Sequence, residues 1–285
     1  MSKILISNGN IGAATAALLA TQHNEVSLLV RKPEISPALK ALGVTATIAD
    51  AAKPETLAKA FEGVDSFFFI SPLVENMVEL ATNLIEAATR AGVKHIVRSS
   101  ANGADPEAPI AMGKLHGQVE RLIKNSGIAY SIIRPASFFQ NIYGSIAGIK
   151  SQQVFYGSAG EGKNGLVDVE DIAAVAATII ADRAAHNNKT YVLTGPEVLS
   201  NYDLADILST KLGTRISYVD LPAEELGKAY KGYGMDTWTI NAILELDKIT
   251  KLGYVANLSE DVKLVTGKIP GSFEAFVSKN LAAFK

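Results

Sequence analysis

Six short runs of β-branched, aromatic and aliphatic residues, each followed by a longer Ala- and Leu-rich segment of helical period, fill the first half of this chain. They lie at 3–7, 25–30, 45–49, 66–70, 95–99 and 130–133. Each is close to continuously apolar, as a strand must be when helices cover both faces of its sheet. The helical segments begin near Ile11, Ser36, Pro54, Glu75, Ile110 and Phe138. Strands joined by crossovers of this length return right-handed, so the pattern predicts an α/β fold with a doubly wound parallel sheet. Its ligand edge is where the strands end.

Past Lys150 the rhythm changes. A glycine-rich stretch covers 157–165, a helix is expected at Val169–Ala181, and a strand at 190–193 is apolar enough to rejoin the sheet as a seventh. Mostly helices follow to Lys285. At 285 residues a single core stops growing. The expected organisation is a main domain of 1–150, to which 166–195 return, and a smaller, mostly helical C-terminal lobe of 196–285 with 151–165.

Lys+Arg number 27 against 29 Asp+Glu, so no basic excess points to nucleic acid or an anionic membrane. With no cysteine, thiolate chemistry and disulfides are excluded, and a reducing compartment fits. The opening apolar run is too short for a signal peptide, and no apolar stretch reaches membrane-spanning length. The expectation is a soluble, unprocessed, cytoplasmic protein.

The turn after the first run reads Ser7-Asn8-Gly9-Asn10-Ile11-Gly12, followed by Ala13-Ala14-Thr15-Ala16-Ala17. A dinucleotide site needs glycine where backbone approaches a diphosphate and where the first helix packs on the sheet, with that helix's N-terminus facing the anion. Gly9 and Gly12 suit those two roles, flanked by Ser7, Asn10 and Ile11. The usual first glycine is missing and the loop is two residues shorter than the common form. Asn8, which tolerates left-handed geometry, is the expected substitute. A Gly-x-x-Gly between strand and helix is equally ordinary turn chemistry.

Arg31 stands 19 residues past Gly12, at the end of the second run, where an acidic residue grips the ribose hydroxyl of NAD. A cation there suits a 2′-phosphate, and Lys32 adds a second. This predicts a Rossmann-type domain with NADP(H) preferred over NAD(H). The alternative is a solvated basic pair opening the loop before Pro33. Asp50 either accepts from the adenine amino group or caps the helix near Pro54. Ser71 with Pro72, and Ser99 ahead of Ser100 and Asn102, end the two runs that flank the expected nicotinamide position. Serine is also an ordinary turn residue.

Four further segments carry a resemblance: Ala91-Gly92-Val93-Lys94-His95-Ile96, Ser126-Gly127-Ile128-Ala129-Tyr130 leading to Ile133-Arg134-Pro135, Val167-Asp168-Val169-Glu170-Asp171-Ile172-Ala173, and Tyr191-Val192-Leu193-Thr194-Gly195. With the glycine turn and Arg31, the chain resembles the atypical short-chain dehydrogenase/reductase superfamily, and more closely its NmrA-like branch. That branch includes NAD(P)H-dependent quinone and triphenylmethane-dye reductases. The segment Met112-Gly113-Lys114-Leu115-His116-Gly117-Gln118-Val119-Glu120 is similar to the superfamily's active-site helix. Ketone-reducing members carry Tyr and, four residues on, Lys; here those slots hold Met112 and His116.

The resemblance implies instead a catalytic pair, His116 and Glu120, one helical turn apart. His116 would bond the nicotinamide ribose or the substrate, and Glu120 would orient it. A surface i,i+4 pair is the alternative. Without the tyrosine, a ketone lacks its proton donor, whereas a quinone or cationic dye needs none so strongly placed. The implied reaction is hydride transfer to an electron-poor conjugated acceptor, aromatic or quinonoid, in an apolar pocket.

Its expected walls are Pro72, Leu73, Asn102, Phe138, Phe139 and Asn141, with Tyr230, Tyr233 and Trp238 from the later helices. An aromatic stripe in a helical lobe is more often core than pocket. The remaining histidines, His23, His95 and His186, have no ligand spacing, so no metal site is assigned. Some NmrA-like proteins are nucleotide-responsive regulators, and a non-catalytic NADP(H) sensor is the competing reading. A homodimer is left open.

Overall fold

In strand β1 (Lys3–Ser7), Ile4, Leu5 and Ile6 are each 1% exposed or less, so both faces are covered and the strand must lie inside a sheet. The computed structural model describes residues 2–22 and 24–285; His23 lies outside the described residues. The next strands are β2 (Glu25–Val30), β3 (Thr45–Ile48), β4 (Ser66–Ile70), β5 (His95–Ser99) and β6 (Ala129–Pro135). Strands β7 (Val154–Gly157) and β8 (Lys163–Asn164) lie outside this sheet, and β9 (Lys189–Leu193) rejoins it. The sheet runs β3-β2-β1-β4-β5-β6-β9.

Every pairing from β3 through β6 is parallel. The order reverses between β1 and β4, which makes their carboxyl ends the topological switch point. Register places Ile6 beside Phe68 and Ile70 beside Ser99, so the ends of β1, β4 and β5 come out level. The doubly wound parallel fold is the one the sequence predicts. The third strand stops one residue early, at Ile48, and the sixth extends on both sides of 130–133.

Helix α1 (Asn10–Ala20) buries Ile11, Gly12, Thr15, Ala16 and Leu19, the i,i+4 stripe expected of a helix lying on a sheet. After α2 (Pro37–Ala41), the segment from Pro54 is a 3-10 turn, Pro54–Thr56, running into α3 (Leu57–Ala60). Then come α4 (Met77–Arg90) and α5 (Ala111–Asn125). Phe67 stacks on Phe69 at 5.4 Å and meets the edge of Phe61 at 5.0 Å. These rings share a core with Leu84 and Ile85 of α4 and Val119 and Ile123 of α5.

The chain divides into two compact units, Met1–Arg134 with Ile172–Val192, and Pro135–Asp171 with Leu193–Lys285. Residues 135–150, expected with the sheet domain, fall in the second unit, as do 166–171 and 193–195. The cause is packing. Beyond Pro135 a 3-10 stretch, Phe139–Ser145, and α6 (Ile146–Gln152) bury Phe139, Ile142 and Ile149 among Phe155, Leu208, Tyr218, Phe273 and Phe276.

Within the second unit, Val154–Gly157 pairs in parallel with 217–220, a strand inside the stretch expected to be mostly helical. Helix α7 (Val169–Ala181) has the predicted limits. Among the described residues, no helix is long and apolar enough to cross a membrane.

Candidate functional site

At the end of β1 the chain turns straight into α1, and the two glycines of that turn do different things. Gly9 has φ 142°, a conformation that L side chains rarely adopt, and nothing lies within 4 Å of where its Cβ would be. Its backbone is open to close approach. Gly12 has no such room: a Cβ would stand 2.0 Å from the Ser7 carbonyl oxygen, so only glycine lets the helix lie this close to the strand. The left-handed position expected at Asn8 falls on Gly9, and Asn8 is not among the residues with positive φ. No side chain caps α1, whose first N–H groups have no partner within the helix. Ser7 and Ile11 are buried, while Asn8, Gly9 and Asn10 are exposed.

Arg31 and Lys32 follow directly on β2, both exposed, and among the described residues neither is tied up in an ion pair. Asp50 builds its own turn: Oδ1 accepts from the Ala52 N–H at 3.0 Å, and no side chain caps the 3-10 turn at Pro54. At the end of β4 the Ser71 Oγ is buried with no hydrogen-bond partner. An unpaired buried hydroxyl costs about 1–3 kcal/mol, so the protein holds open a polar contact that a ligand can fill. Pro72 and Leu73 beside it are exposed, Ser99 is buried, and Asn102 is half-buried. An open backbone at Gly9 and a close strand–helix contact at Gly12, at the amino end of α1, are features that fit a diphosphate at a switch point, and the unpartnered Ser71 Oγ lies at the end of the neighbouring strand.

Helix α5 buries Gly113, His116, Gly117, Val119, Glu120 and Ile123, an inward stripe that carries both expected catalytic side chains. The surface-pair alternative for His116 and Glu120 therefore does not hold: they are 8% and 2% exposed. They do not bond each other either. Glu120 accepts from Ser100 Oγ at 2.7 Å, from Arg134 Nε at 2.8 Å and from Arg134 Nη2 at 2.7 Å. This grip raises the Arg134 pKa further.

His116 is held by Arg98, whose Nη2 donates to Nδ1 at 3.2 Å. Sequence reasoning missed Arg98, which reads as one polar residue inside an apolar strand. It is fully buried, its Nη1 donates to the Phe69 carbonyl at 3.3 Å, and its guanidinium carbon sits 4.5 Å over the Phe69 ring. Burial first, then the Arg98 charge, push the His116 imidazole down to about 3. Burial likewise lowers Arg98 to about 9, opposed by Glu120, so the guanidinium stays charged at neutral pH. Gly113 and Gly117 let the 103–108 loop lie against α5: a Cβ at Gly117 would meet the Asp105 carbonyl carbon at 2.1 Å.

The expected pocket residues of the second unit are placed unevenly. Phe139 is 2% exposed and packed against Phe273 at 5.4 Å and Phe276 at 5.6 Å, so its ring belongs to the core of that unit. Phe138, Tyr230 and Trp238 are half-buried, Asn141 is exposed, and Tyr233 is 88% exposed.

A parallel doubly wound sheet with a glycine turn at its switch point is the architecture of dinucleotide-binding α/β proteins. The sequence pattern of the NmrA-like family matches residues 2–276. An NAD(P)H azoreductase of Xenophilus azovorans is 35% identical over 276 residues, 97% of this chain and 96% of that protein. The NADPH-dependent quinone oxidoreductase of Escherichia coli, solved with NADPH, is 26% identical with a TM-score of 0.85, covering 98% of this chain and 99% of that one. The triphenylmethane reductase of Citrobacter sp., solved with NADP(H), is 26% identical with a TM-score of 0.83 and the same coverage. This chain belongs to the NmrA-like family.

Proposed function

We propose that this protein is an NAD(P)H-dependent oxidoreductase that reduces electron-poor conjugated acceptors, quinones and azo or triarylmethane dyes, and prefers NADPH. The observation that carries the reading is the glycine turn at the switch point, where Gly9 is open to a ligand and Gly12 is closed against the strand. Ser7, Gly9, Asn10, Ile11 and Gly12 hold the diphosphate at the amino end of α1. Arg31 and Lys32 take the 2′-phosphate, Asp50 the adenine, and Ser71, Pro72 and Ser99 the nicotinamide half. Leu73 and Asn102 border the acceptor. When bound, the reduced nicotinamide supplies the hydride.

The side chains narrow the chemistry. Met112 and His116 occupy the helix positions where ketone-reducing relatives carry tyrosine and lysine, and a buried imidazole with its pKa near 3 holds no extra proton to deliver. Acceptors whose reduced form is a stabilised anion or a neutral product remain accessible, and simple ketones do not.

The test is NADPH consumption by the purified protein with a panel of quinones, azo dyes, triarylmethane dyes and ketones. Turnover is expected with the conjugated acceptors and not with the ketones. Tight NADPH binding without turnover of any acceptor would overturn the hydride-transfer reading in favour of a nucleotide sensor.

A further inference from the structure

A fully buried guanidinium is expensive, and Arg98 is not fully repaid: its Nε–H has no partner, and Nη1 reaches one carbonyl at 3.3 Å. Replacing a whole buried charged group and its partners by hydrophobic residues is often neutral or stabilising, so such a charge is weak evidence of a stabilising role. Its best-defined polar contact is with the ring of His116. A guanidinium can only donate, so Nδ1 of His116 must be the unprotonated nitrogen, and the ring proton must sit on Nε2. Among the described residues no protein atom accepts from Nε2, and that nitrogen is not one of the sealed, unpartnered atoms.

We propose that Arg98 is a positioning residue that locks His116 as its neutral Nε2–H tautomer, making His116 a fixed hydrogen-bond donor to the acceptor rather than an acid or base. The assignment rests on the oxidoreductase reading above. When bound, the reduced nicotinamide would supply the hydride and be oxidised, and a neutral quinone receiving it would carry the added electron pair as a negative charge on oxygen. The His116 Nε2–H hydrogen-bonds to that charge and keeps its proton, and water supplies the proton that completes the product.

The charged surroundings agree with this. Arg98 faces the imidazole from β5, and a second charge there would be repelled. Glu120, on the same helix, is engaged by Ser100 and Arg134 and turns no oxygen to His116. Asp105 of the loop packed on α5 acts on Arg134. On α4, Glu86 and Arg90 pair with each other at the surface.

Histidine 15N–1H correlation spectra of the whole protein without cofactor report the tautomer directly. In wild type, His116 should show protonated Nε2 and bare Nδ1, with no titration between pH 5 and 8. Arg98→Met removes a costly charge but also the donor to the Phe69 carbonyl and to His116 Nδ1, so its melting temperature is measured beside the spectra to show that it folds. Its His116 should populate both tautomers and titrate at higher pH. With a quinone acceptor, kcat of Arg98→Met should fall on the order of ten- to a hundredfold with KM little changed. Arg98→Lys, which still offers a donor, should restore the tautomer and part of kcat.

A wild-type His116 protonated on Nδ1, or a tautomer and titration unaltered in Arg98→Met, would overturn the assignment. If Arg98→Met does not fold, Arg98→Lys and the wild-type spectrum still decide it. Lack of turnover by wild type would remove the oxidoreductase reading, while the spectra still decide whether Arg98 sets the tautomer.

Discussion

Glu120 grips Arg134 at two points, accepting from Nε at 2.8 Å and Nη2 at 2.7 Å, from a position only 2% exposed. The pair joins α5 to β6, and Ser100 Oγ adds the end of β5 to the same carboxylate. Breaking a buried pair by removing one charge leaves the other uncompensated, which costs about 3–5 kcal/mol. Arg134 retains 26% exposure, so Glu120→Gln should cost nearer the lower figure, about 3 kcal/mol in urea unfolding. Lys124, at 3.5 Å from the same carboxylate and 42% exposed, should contribute under about 1 kcal/mol, as Lys124→Ala would show. Equal losses from the two variants would contradict the two-point grip.

Gly12 and Gly9 should separate in mutagenesis. Gly12→Ala puts a methyl 2.0 Å from the Ser7 carbonyl oxygen, forcing α1 off the strand, with an expected loss of about 3 kcal/mol. Gly9→Ala meets no atom but strains the backbone at φ 142°, for about 1–2 kcal/mol. The sharper readout is the rise in melting temperature with saturating NADPH. Gly9→Ala should lose most of that rise. An undiminished rise would mean that the diphosphate does not approach Gly9.

Much of the fold is legible in the sequence because strand burial and helix period are local signals. The limits of β1, β2, β4, β5 and α7 follow from apolar runs bounded by turn residues. The site is less legible because its contacts depend on register. Helical spacing suggests Glu120 as the partner of His116, yet the sheet brings Arg98 and Arg134 beneath α5 from 18 and 14 residues away in sequence. Neither pairing has a sequence signature. The positive φ expected at Asn8 falls on Gly9, where the backbone is also open, and apolar periodicity carries no signal for the backbone angle of a single turn residue. Phe139, offered by the sequence as a pocket wall, is core because its ring packs on Phe273 and Phe276, which lie far along the chain.

Arg31 should govern the choice between cofactors. A guanidinium on a phosphate is a charge-assisted contact of about 1.5–3 kcal/mol, so Arg31→Ala should weaken NADPH binding about ten- to a hundredfold and leave NADH nearly unchanged. Lys32→Ala should show a smaller effect in the same direction, because an ammonium offers a point charge rather than a fork. Calorimetric titration of both nucleotides into the three proteins reads this. Parallel losses for NADPH and NADH would place Arg31 at the diphosphate or nowhere in the site.

Two buried histidines should make the fold acid-sensitive well above the carboxylate range. Ser131 Oγ donates to the His186 carbonyl at 2.6 Å, so it accepts from His95 Nε2 at 3.1 Å, leaving His95 Nδ1 bare, buried and unpartnered. Burial, then the charges of Arg183 and His186, lower His95 to about 4, while His116 lies near 3. Unfolded histidine titrates near 6.5. Between that value and each folded value the unfolded chain binds the extra proton, so stability is complete above about pH 6.5 and falls as pH drops toward 4. Each histidine can contribute up to about 1.4 kcal/mol per pH unit across that window. Urea midpoints should therefore decline steadily from pH 6.5 to 4, and His95→Gln should show a clearly shallower decline than wild type. A wild-type midpoint flat across that range would show that neither imidazole is held neutral by its burial.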